Sequence, residues 1–97
     1  MKILEKNEKL EDFIKEGVVL VDFYAEWCGP CKMMVPVLES LDDVNVVKVN
    51  VDIHEDLSEE FRIMSIPTLL FFKDGVKVKD IVGFHSKEQI QKILEEL

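Results

Sequence analysis

The sequence contains few cations and no long apolar run. Its 12 Lys and Arg stand against 20 Asp and Glu, which gives a net charge of −8, and the basic residues are scattered along the chain. A chain with this charge is repelled by phosphate backbones and by anionic lipid surfaces, so we expect no nucleic-acid partner and no membrane partner. No uninterrupted apolar run is longer than that of residues 18–21, whereas a membrane-spanning helix needs about 20 apolar residues.

Cysteine is scarce, and the chain is short. Two cysteines are too few to stabilise a small secreted disulfide-rich domain, because such domains depend on several disulfides. A length of 97 residues suffices for one hydrophobic core, so we expect a single domain over residues 1–97, and we expect a monomer. Residues 1–6 lack the apolar stretch of about 7–15 residues that a secretory signal requires, and we therefore expect a cytoplasmic location.

The residues that are present alternate between strand and helix patterns. Runs rich in β-branched and aromatic residues predict strands at residues 2–4, 18–25, 46–51, 68–72 and 76–82. Helical spacing predicts helices between residues 7 and 17, at residues 28–41 and 56–62, and after residue 86. Strands separated by helices pair in parallel, whereas the Asp74-Gly75 turn signal joins the last two strands as an antiparallel hairpin. The pattern predicts a mixed sheet with helices on both faces.

Local signals mark the ends and faces of these helices. Asn7 is a candidate N-cap for the first helix, and Ser86 and Gln89 form a candidate capping box for the last. The two histidines, His54 and His85, are expected in solvated loops. The second helix is expected to turn an apolar face inward, formed by Met33, Met34, Val37, Leu38 and Leu41.

The most informative feature is the segment at residues 27–32, Trp-Cys-Gly-Pro-Cys-Lys, where a buried strand gives way to a helix. Functional sites of open α/β sheets usually lie at such strand ends. Cys28 would occupy the helix N-terminus, where unpaired N–H groups and the positive end of the dipole stabilise a thiolate. Cys31 falls on the same helix face and can close a short disulfide with Cys28. Gly29 lets a partner's backbone come close, and Pro30 fits the first turn because its missing N–H costs nothing there.

Two other interpretations of the cysteine pair remain open from the residues alone. A C-x-x-C pair can be half of a zinc site, although zinc usually takes four ligands and only two histidines remain, neither at finger-like spacing. Cysteine can also be a small buried hydrophobic residue, which explains one cysteine but not the paired spacing. The spacing favours a redox pair over both, and we expect no metal.

Residues 21–32, Val-Asp-Phe-Tyr-Ala-Glu-Trp-Cys-Gly-Pro-Cys-Lys, resemble the active-site segment of the thioredoxin family. Residues 66–68 resemble the loop that faces that site, residues 72–75 the family's hairpin, and Gly83 the glycine beside the active site. The resemblance covers essentially the whole chain and implies the thioredoxin fold, an α/β arrangement of a five-stranded mixed sheet flanked by four α-helices. The chain departs from the family at Tyr24, where many members have tryptophan, and in the short connection after residue 41.

The resemblance also implies roles for individual residues. Cys28 would attack a disulfide, and Cys31 would then resolve the mixed disulfide, so that the two cysteines form the redox disulfide. Client contacts would fall on residues beside the cysteines and on the facing loop, with a cis Ile66–Pro67 peptide bond. These contact residues are Trp27, Gly29, Pro30, Ile66, Pro67 and Gly83.

Asp22 and Lys48 are the candidate proton-handling residues. Asp22 lies inside an apolar strand, where burial disfavours the charged carboxylate and raises its pKa. Acids with a raised pKa are often found at working sites. The alternatives are a structural Asp satisfied by hydrogen bonds and an Asp on a strand edge that reaches water. By resemblance, Asp22 is the proton acceptor for Cys31, and Lys48 is the lysine that modulates this acid. An ordinary surface lysine is the alternative for Lys48.

The function implied by the resemblance is that of a protein-disulfide reductase, an electron carrier that contributes to cell redox homeostasis. No metal or tightly bound organic cofactor is implied. The implied partners are disulfide-containing client proteins and a thioredoxin reductase, either a flavoenzyme that uses NADPH or a ferredoxin-linked enzyme. Two other functions stay open: a disulfide-forming oxidant or isomerase on the same fold, and a non-catalytic interaction module.

Overall fold

The structure is a computed structural model that describes all 97 residues, Met1–Leu97. The five strands are β1 (Lys2–Ile3), β2 (Val18–Tyr24), β3 (Asn45–Asn50), β4 (Thr68–Lys73) and β5 (Val76–Val82). The three α-helices are α1 (Gly29–Glu39), α2 (Glu55–Glu60) and α3 (Lys87–Glu95), and a 3-10 helix (Leu10–Phe13) precedes β2. None of the helices is long and apolar enough to cross a membrane.

The strands form one mixed sheet in the order β1-β3-β2-β4-β5, which confirms the predicted sheet. Strand β3 runs parallel to both β1 and β2, whereas β4 runs antiparallel to both β2 and β5. Strand β2 therefore lies at the centre, with hydrogen-bonded neighbours on both sides. This placement explains why its sequence is a nearly continuous apolar run, because a central strand covered on both faces exposes neither.

The sheet buries a different set of side chains on each face, because side chains alternate along a strand. The face that packs against α1 and α3, here the α1 face, holds the buried apolar residues Leu20, Met34, Leu38, Leu41, Val46, Leu69, Phe71 and Ile90. The face that packs against the 3-10 helix and α2, here the α2 face, holds Leu4, Leu10, Ile14, Val19, Val21, Phe23, Val47, Val49, Leu70 and Phe72. The prediction of helices on both faces is confirmed.

The prediction of four α-helices is wrong, because the first helical segment is only the four-residue 3-10 helix. Its N-cap is Lys9 rather than Asn7, and no side chain caps it. The Glu8 carboxylate accepts hydrogen bonds from the Glu5 backbone N–H at 2.7 Å and from Lys2 Nζ at 2.8 Å. These bonds fix the preceding residues in a turn, so a helix cannot begin at Asn7.

Two expected side-chain positions are also wrong. Met33 is 59% exposed, because α1 buries the stripe formed by Cys31, Met34 and Leu38, and Met33 lies beside this stripe rather than within it. His54 is buried rather than solvated, and its Nε2 donates a hydrogen bond to the Leu4 carbonyl oxygen at 3.1 Å. The predicted capping box at the start of α3 is confirmed by both of its hydrogen bonds.

Candidate active site

The two cysteines lie at the start of α1, directly after the C-terminal end of β2. Cys28 is the N-cap residue, with an extended backbone, and Pro30 falls within the first turn. The sulfurs of Cys28 and Cys31 are bonded to each other, with the two Cα atoms 5.3 Å apart. Cys28 Sγ also accepts a hydrogen bond from the Cys31 backbone N–H at 3.2 Å. A sulfur at this position therefore accepts from a backbone donor at the positive end of the helix, which favours a thiolate when the disulfide is open.

Asp22 is the only buried acid of the chain, and it is fully buried in the α1 face of β2. Neither of its carboxylate oxygens has a hydrogen-bond partner within the protein. Burial raises the pKa of Asp22 from 3.8 to about 6, and the positive charge of Lys48 opposes part of this rise. The alternative of a structural Asp satisfied by protein hydrogen bonds does not fit this environment.

Lys48 is buried, so the alternative of an ordinary surface lysine is wrong. It lies on β3 directly beside Asp22 in the parallel register. Its ammonium does not form an ion pair with Asp22 but lies over the ring of Tyr24, with Nζ 4.1 Å from the ring centroid. Burial, with the nearby negative charges of Glu26 and Asp22, raises the pKa of the Tyr24 hydroxyl.

The loop before β4 faces Cys28. The Ile66–Pro67 peptide bond is cis, and the Ile66 carbonyl oxygen lies 3.9 Å from Cys28 Sγ. Neither the N–H nor the C=O of Ile66 is paired with another backbone group, whereas the Pro67 carbonyl accepts the Gly83 N–H at 2.7 Å. Gly83 has a φ of +90°, a conformation that favours glycine. The loop thus presents one open pair of backbone hydrogen-bonding groups beside the disulfide.

Trp27 stands at the rim of this surface with 71% of its area exposed. Its indole Nε1–H donates a hydrogen bond to Asp52 Oδ2 at 3.0 Å, and the Asp52 backbone N–H in turn donates to Asn50 Oδ1 at 2.8 Å. Sequence reasoning missed Asp52, because it follows the end of β3 and carries no local motif. Its position just beyond that strand end, the same edge of the sheet that carries the cysteines, was the available signal.

The site is a surface rather than a pocket. The largest cavity, about 700 Å³, lies at the edge of the sheet formed by β1 and β3, where Met1, Phe13, Leu41 and Val46 are among its lining residues. Neither cysteine contributes to it. The exposed residues around the buried cysteines form a surface with little relief. At Gly29, for example, an added Cβ would meet no atom within 4 Å. An extended chain can therefore approach this surface closely.

Comparison with known proteins agrees with this geometry. The family model described as Thioredoxin matches residues 2–96. A thioredoxin of Chlamydia caviae is 46% identical over 93 residues, which cover 92% of this chain and 91% of the relative. A thioredoxin of Bacillus subtilis is 50% identical over 84 residues, covering 81% of each chain.

A solved structure agrees with the family match. The structure of a mutant thioredoxin from Halobacterium salinarum superposes with a TM-score of 0.90 at 34% identity, covering 98% of this chain and 88% of that one. The family match spans nearly the whole chain, and the redox-active cysteine pair lies at the start of α1. The chain therefore belongs to the thioredoxin family and is a thiol–disulfide oxidoreductase.

Proposed function

We propose that this chain reduces disulfides in client proteins, with Cys28 as the attacking thiol and Cys31 as the resolving thiol. The observation that carries the proposal is the position of Cys28 as the N-cap of α1, where its sulfur faces the Cys31 N–H at 3.2 Å. This position favours the thiolate, and the thiolate is the nucleophile in disulfide exchange. Cys28 is also slightly the more exposed of the two, at 5% against 2% for Cys31.

The exchange proceeds in two displacements. The Cys28 thiolate attacks one sulfur of the client disulfide, the other client sulfur leaves as a thiolate, and a mixed disulfide forms. The Cys31 thiolate then attacks Cys28 Sγ, which breaks the mixed disulfide and releases the second client sulfur as a thiolate. The client gains two electrons and its two thiolates then take protons from the solvent, to which Cys28 and Cys31 have given up theirs, while the Cys28–Cys31 disulfide remains.

Asp22 acts as the base for the second displacement. Its pKa of about 6 leaves it largely ionised near neutral pH but more basic than an exposed Asp, which suits a general base. The carboxylate oxygens have no partner in the protein that would hold them away from a proton donor. Lys48 modulates this acid, since its positive charge lowers the pKa of Asp22. The proton of the Cys31 thiol passes to Asp22 as Cys31 becomes a nucleophile.

Clients bind across the flat surface that surrounds the disulfide. The unpaired N–H and C=O of Ile66 can pair with an extended client chain in the manner of strand addition. The side chains and backbone that surround the Ile66 N–H and C=O make apolar contacts with the client. The client-binding residues are Trp27, Gly29, Pro30, Ile66, Pro67 and Gly83.

The oxidised protein needs an electron donor to return to the dithiol. We assign this role to a thioredoxin reductase, either an NADPH-dependent flavoenzyme or a ferredoxin-linked enzyme, acting in a reducing compartment such as the cytoplasm. The same surface would serve reductase and clients in turn, because both must reach Cys28.

Trapping of a mixed disulfide tests the assignment of the two cysteines. The Cys31→Ser variant, incubated with an oxidised client, is expected to accumulate a covalent adduct through Cys28, because nothing resolves it. The Cys28→Ser variant is the matched control and is expected to form no adduct and to lose exchange. Mass spectrometry of the adduct identifies the bonded cysteine. An adduct formed mainly by Cys28→Ser would contradict the proposal by reversing the roles.

A further inference from the structure

Lys48 and Asp22 are placed to form an ion pair but do not form one. The two residues are partners in the parallel register of β2 and β3, and both are buried in the α1 face. No salt bridge joins them, and both carboxylate oxygens of Asp22 remain without a partner. In a region of low dielectric constant, opposite charges so close together attract strongly. Some other contact must therefore compete for the Lys48 ammonium.

The competing contact is the ring of Tyr24. Lys48 Nζ lies 4.1 Å from the ring centroid, well within the range of a cation–π interaction. Tyr24 is two residues beyond Asp22 on β2, so both side chains project from the same face. The ring itself is held firmly, since Tyr24 is 7% exposed and packs with Ala25 and the two cysteines.

We propose that Tyr24 is a positioning residue that keeps the Lys48 ammonium away from Asp22 and so leaves Asp22 an unpaired acid. The consequence of this positioning for catalysis rests on the proposed role of Asp22 as base. Without the ring, Lys48 would close onto the carboxylate, and a paired carboxylate is a weaker base because the ion pair stabilises its charged form. Tyr24, which stands where many members of the family have tryptophan, supplies the ring that holds Lys48.

Few other charges reach this region. A cavity of about 130 Å³ between α1 and the edge of the sheet is lined by Tyr24, Glu26, Cys31, Lys32 and Lys48 among others. Of the charged groups of the chain, only Lys48 shifts the pKa of Asp22, and it lowers that pKa. In the oxidised protein the cysteines do not titrate. A titration of Asp22 in that form therefore reports mainly on the position of Lys48.

The test is the carboxyl titration of Asp22, followed by carbon-13 NMR in the oxidised full-length protein. The unmodified protein is expected to titrate with a pKa of about 6. Tyr24→Phe keeps the ring face and is the matched control, so its Asp22 pKa is expected to stay the same. Tyr24→Leu removes the ring, and the Asp22 pKa is expected to fall below that of the unmodified protein as the ammonium approaches. An unchanged or higher Asp22 pKa in Tyr24→Leu would overturn the proposal.

A double-mutant cycle isolates the role of Lys48. In a Lys48→Met background, Tyr24→Leu is expected to leave the Asp22 pKa unmoved, because no ammonium remains to be repositioned. An equal fall of that pKa in both backgrounds would also overturn the proposal. If Tyr24→Leu does not fold, pentafluorophenylalanine in place of Tyr24 preserves the shape of the ring but abolishes its attraction for a cation, and the same fall in the Asp22 pKa is expected relative to Tyr24→Phe.

The pH dependence of the resolving step separates this inference from the proposed function. If Asp22 is the base, the acidic limb of the rate profile moves to lower pH in Tyr24→Leu along with the Asp22 titration. If the titration moves but the rate profile does not, Tyr24 positions Lys48 as proposed and the role of Asp22 as base is wrong. If neither moves, the inference about Tyr24 fails and the role of Asp22 is unaffected.

Discussion

The two sides of strand β2 differ in what they contribute. On the α2 face, Val19, Val21 and Phe23 pack into an entirely apolar cluster. There the ring of Phe61 lies 6.0 Å from that of Phe23 and 5.9 Å from that of Phe72, centroid to centroid. Such aromatic pairs add stability beyond the area they bury. This side of the strand stabilises the fold and touches no reacting atom.

On the α1 face, the same strand presents Leu20, then Asp22, then Tyr24. Leu20 belongs to the core, but Asp22 is a buried carboxylate without a partner, and Tyr24 contacts Lys48. A buried, unpaired acid destabilises the folded state in its charged form. Because side chains alternate along the strand, its apolar packing lies on the α2 face, and its buried carboxylate and the tyrosine that contacts Lys48 lie on the α1 face. A shift of register by one residue would exchange the two sets.

The largest change in stability is expected from a substitution on the α2 face. Phe23→Ala removes a fully buried ring from the aromatic cluster and is expected to lower the free energy of unfolding by about 3–5 kcal/mol. Denaturant unfolding measures the loss. Phe84→Ala is the matched control, since Phe84 is 44% exposed and should lose much less. In the molecules that remain folded, the reduction potential of the cysteine pair should stay unchanged; an altered potential would show that the two faces are coupled.

On the α1 face, Asp22→Asn is expected to raise the free energy of unfolding rather than lower it. The pKa of Asp22 is 3.8 for the unfolded chain and about 6 when folded, so the folded protein binds a proton more tightly. Wild-type stability therefore falls as pH rises through this window, by up to about 3 kcal/mol in total, and the asparagine variant escapes this loss. The variant should match the wild type below pH 3.8 and be the more stable above pH 6, as denaturant melts across pH would measure.

The same substitution tests chemistry as well as stability. If Asp22 is the base, the resolving step in Asp22→Asn should slow by about 100-fold or more near neutral pH. Single-turnover kinetics of release from the mixed disulfide measures this rate. A destabilised variant with an unchanged rate would assign Asp22 to the structure rather than to catalysis.

The sequence predicted those parts of the molecule that depend on local periodicity. The apolar run of β2, the hairpin signal at Asp74 and the capping box at Ser86 each correspond to an observed element. The cysteine pair was identified because its spacing and its position at a strand end are both visible in the chain. The raised pKa of Asp22 was predicted from burial alone, and burial is indeed its main cause.

The errors arise where contacts between distant segments decide the outcome. His54 is buried because it hydrogen-bonds Leu4, a residue 50 positions away. The first helix fails because the Glu8 carboxylate binds Lys2 and the backbone of Glu5 instead of leaving a free N-terminus for Asn7. The contact of Lys48 with Tyr24 depends on strand register, which hydrophobic pattern alone does not specify.

A smaller effect is expected at the two glycines of the site. Gly83 has a φ of +90° and Gly29 does not have a positive φ, although an added Cβ would meet no atom within 4 Å at either. Gly83→Ala should therefore cost about 1–2 kcal/mol of stability through backbone strain alone. Gly29→Ala, the matched control, should cost none but should slow client exchange if a client backbone approaches there. Equal unfolding free energies for the two variants would contradict this assignment of strain to Gly83.

The smallest effect on stability is expected from the hydrogen bond between Trp27 and Asp52. Both side chains are exposed, so Asp52→Ala should lower the free energy of unfolding by no more than about 1 kcal/mol. The bond instead fixes the indole ring at the rim of the site, and its loss should slow exchange with protein clients more than exchange with a small disulfide. Asp42→Ala, which removes the same charge from an exposed loop, is the control for net charge. Equal client rates for the two variants would show that Asp52 does not position Trp27.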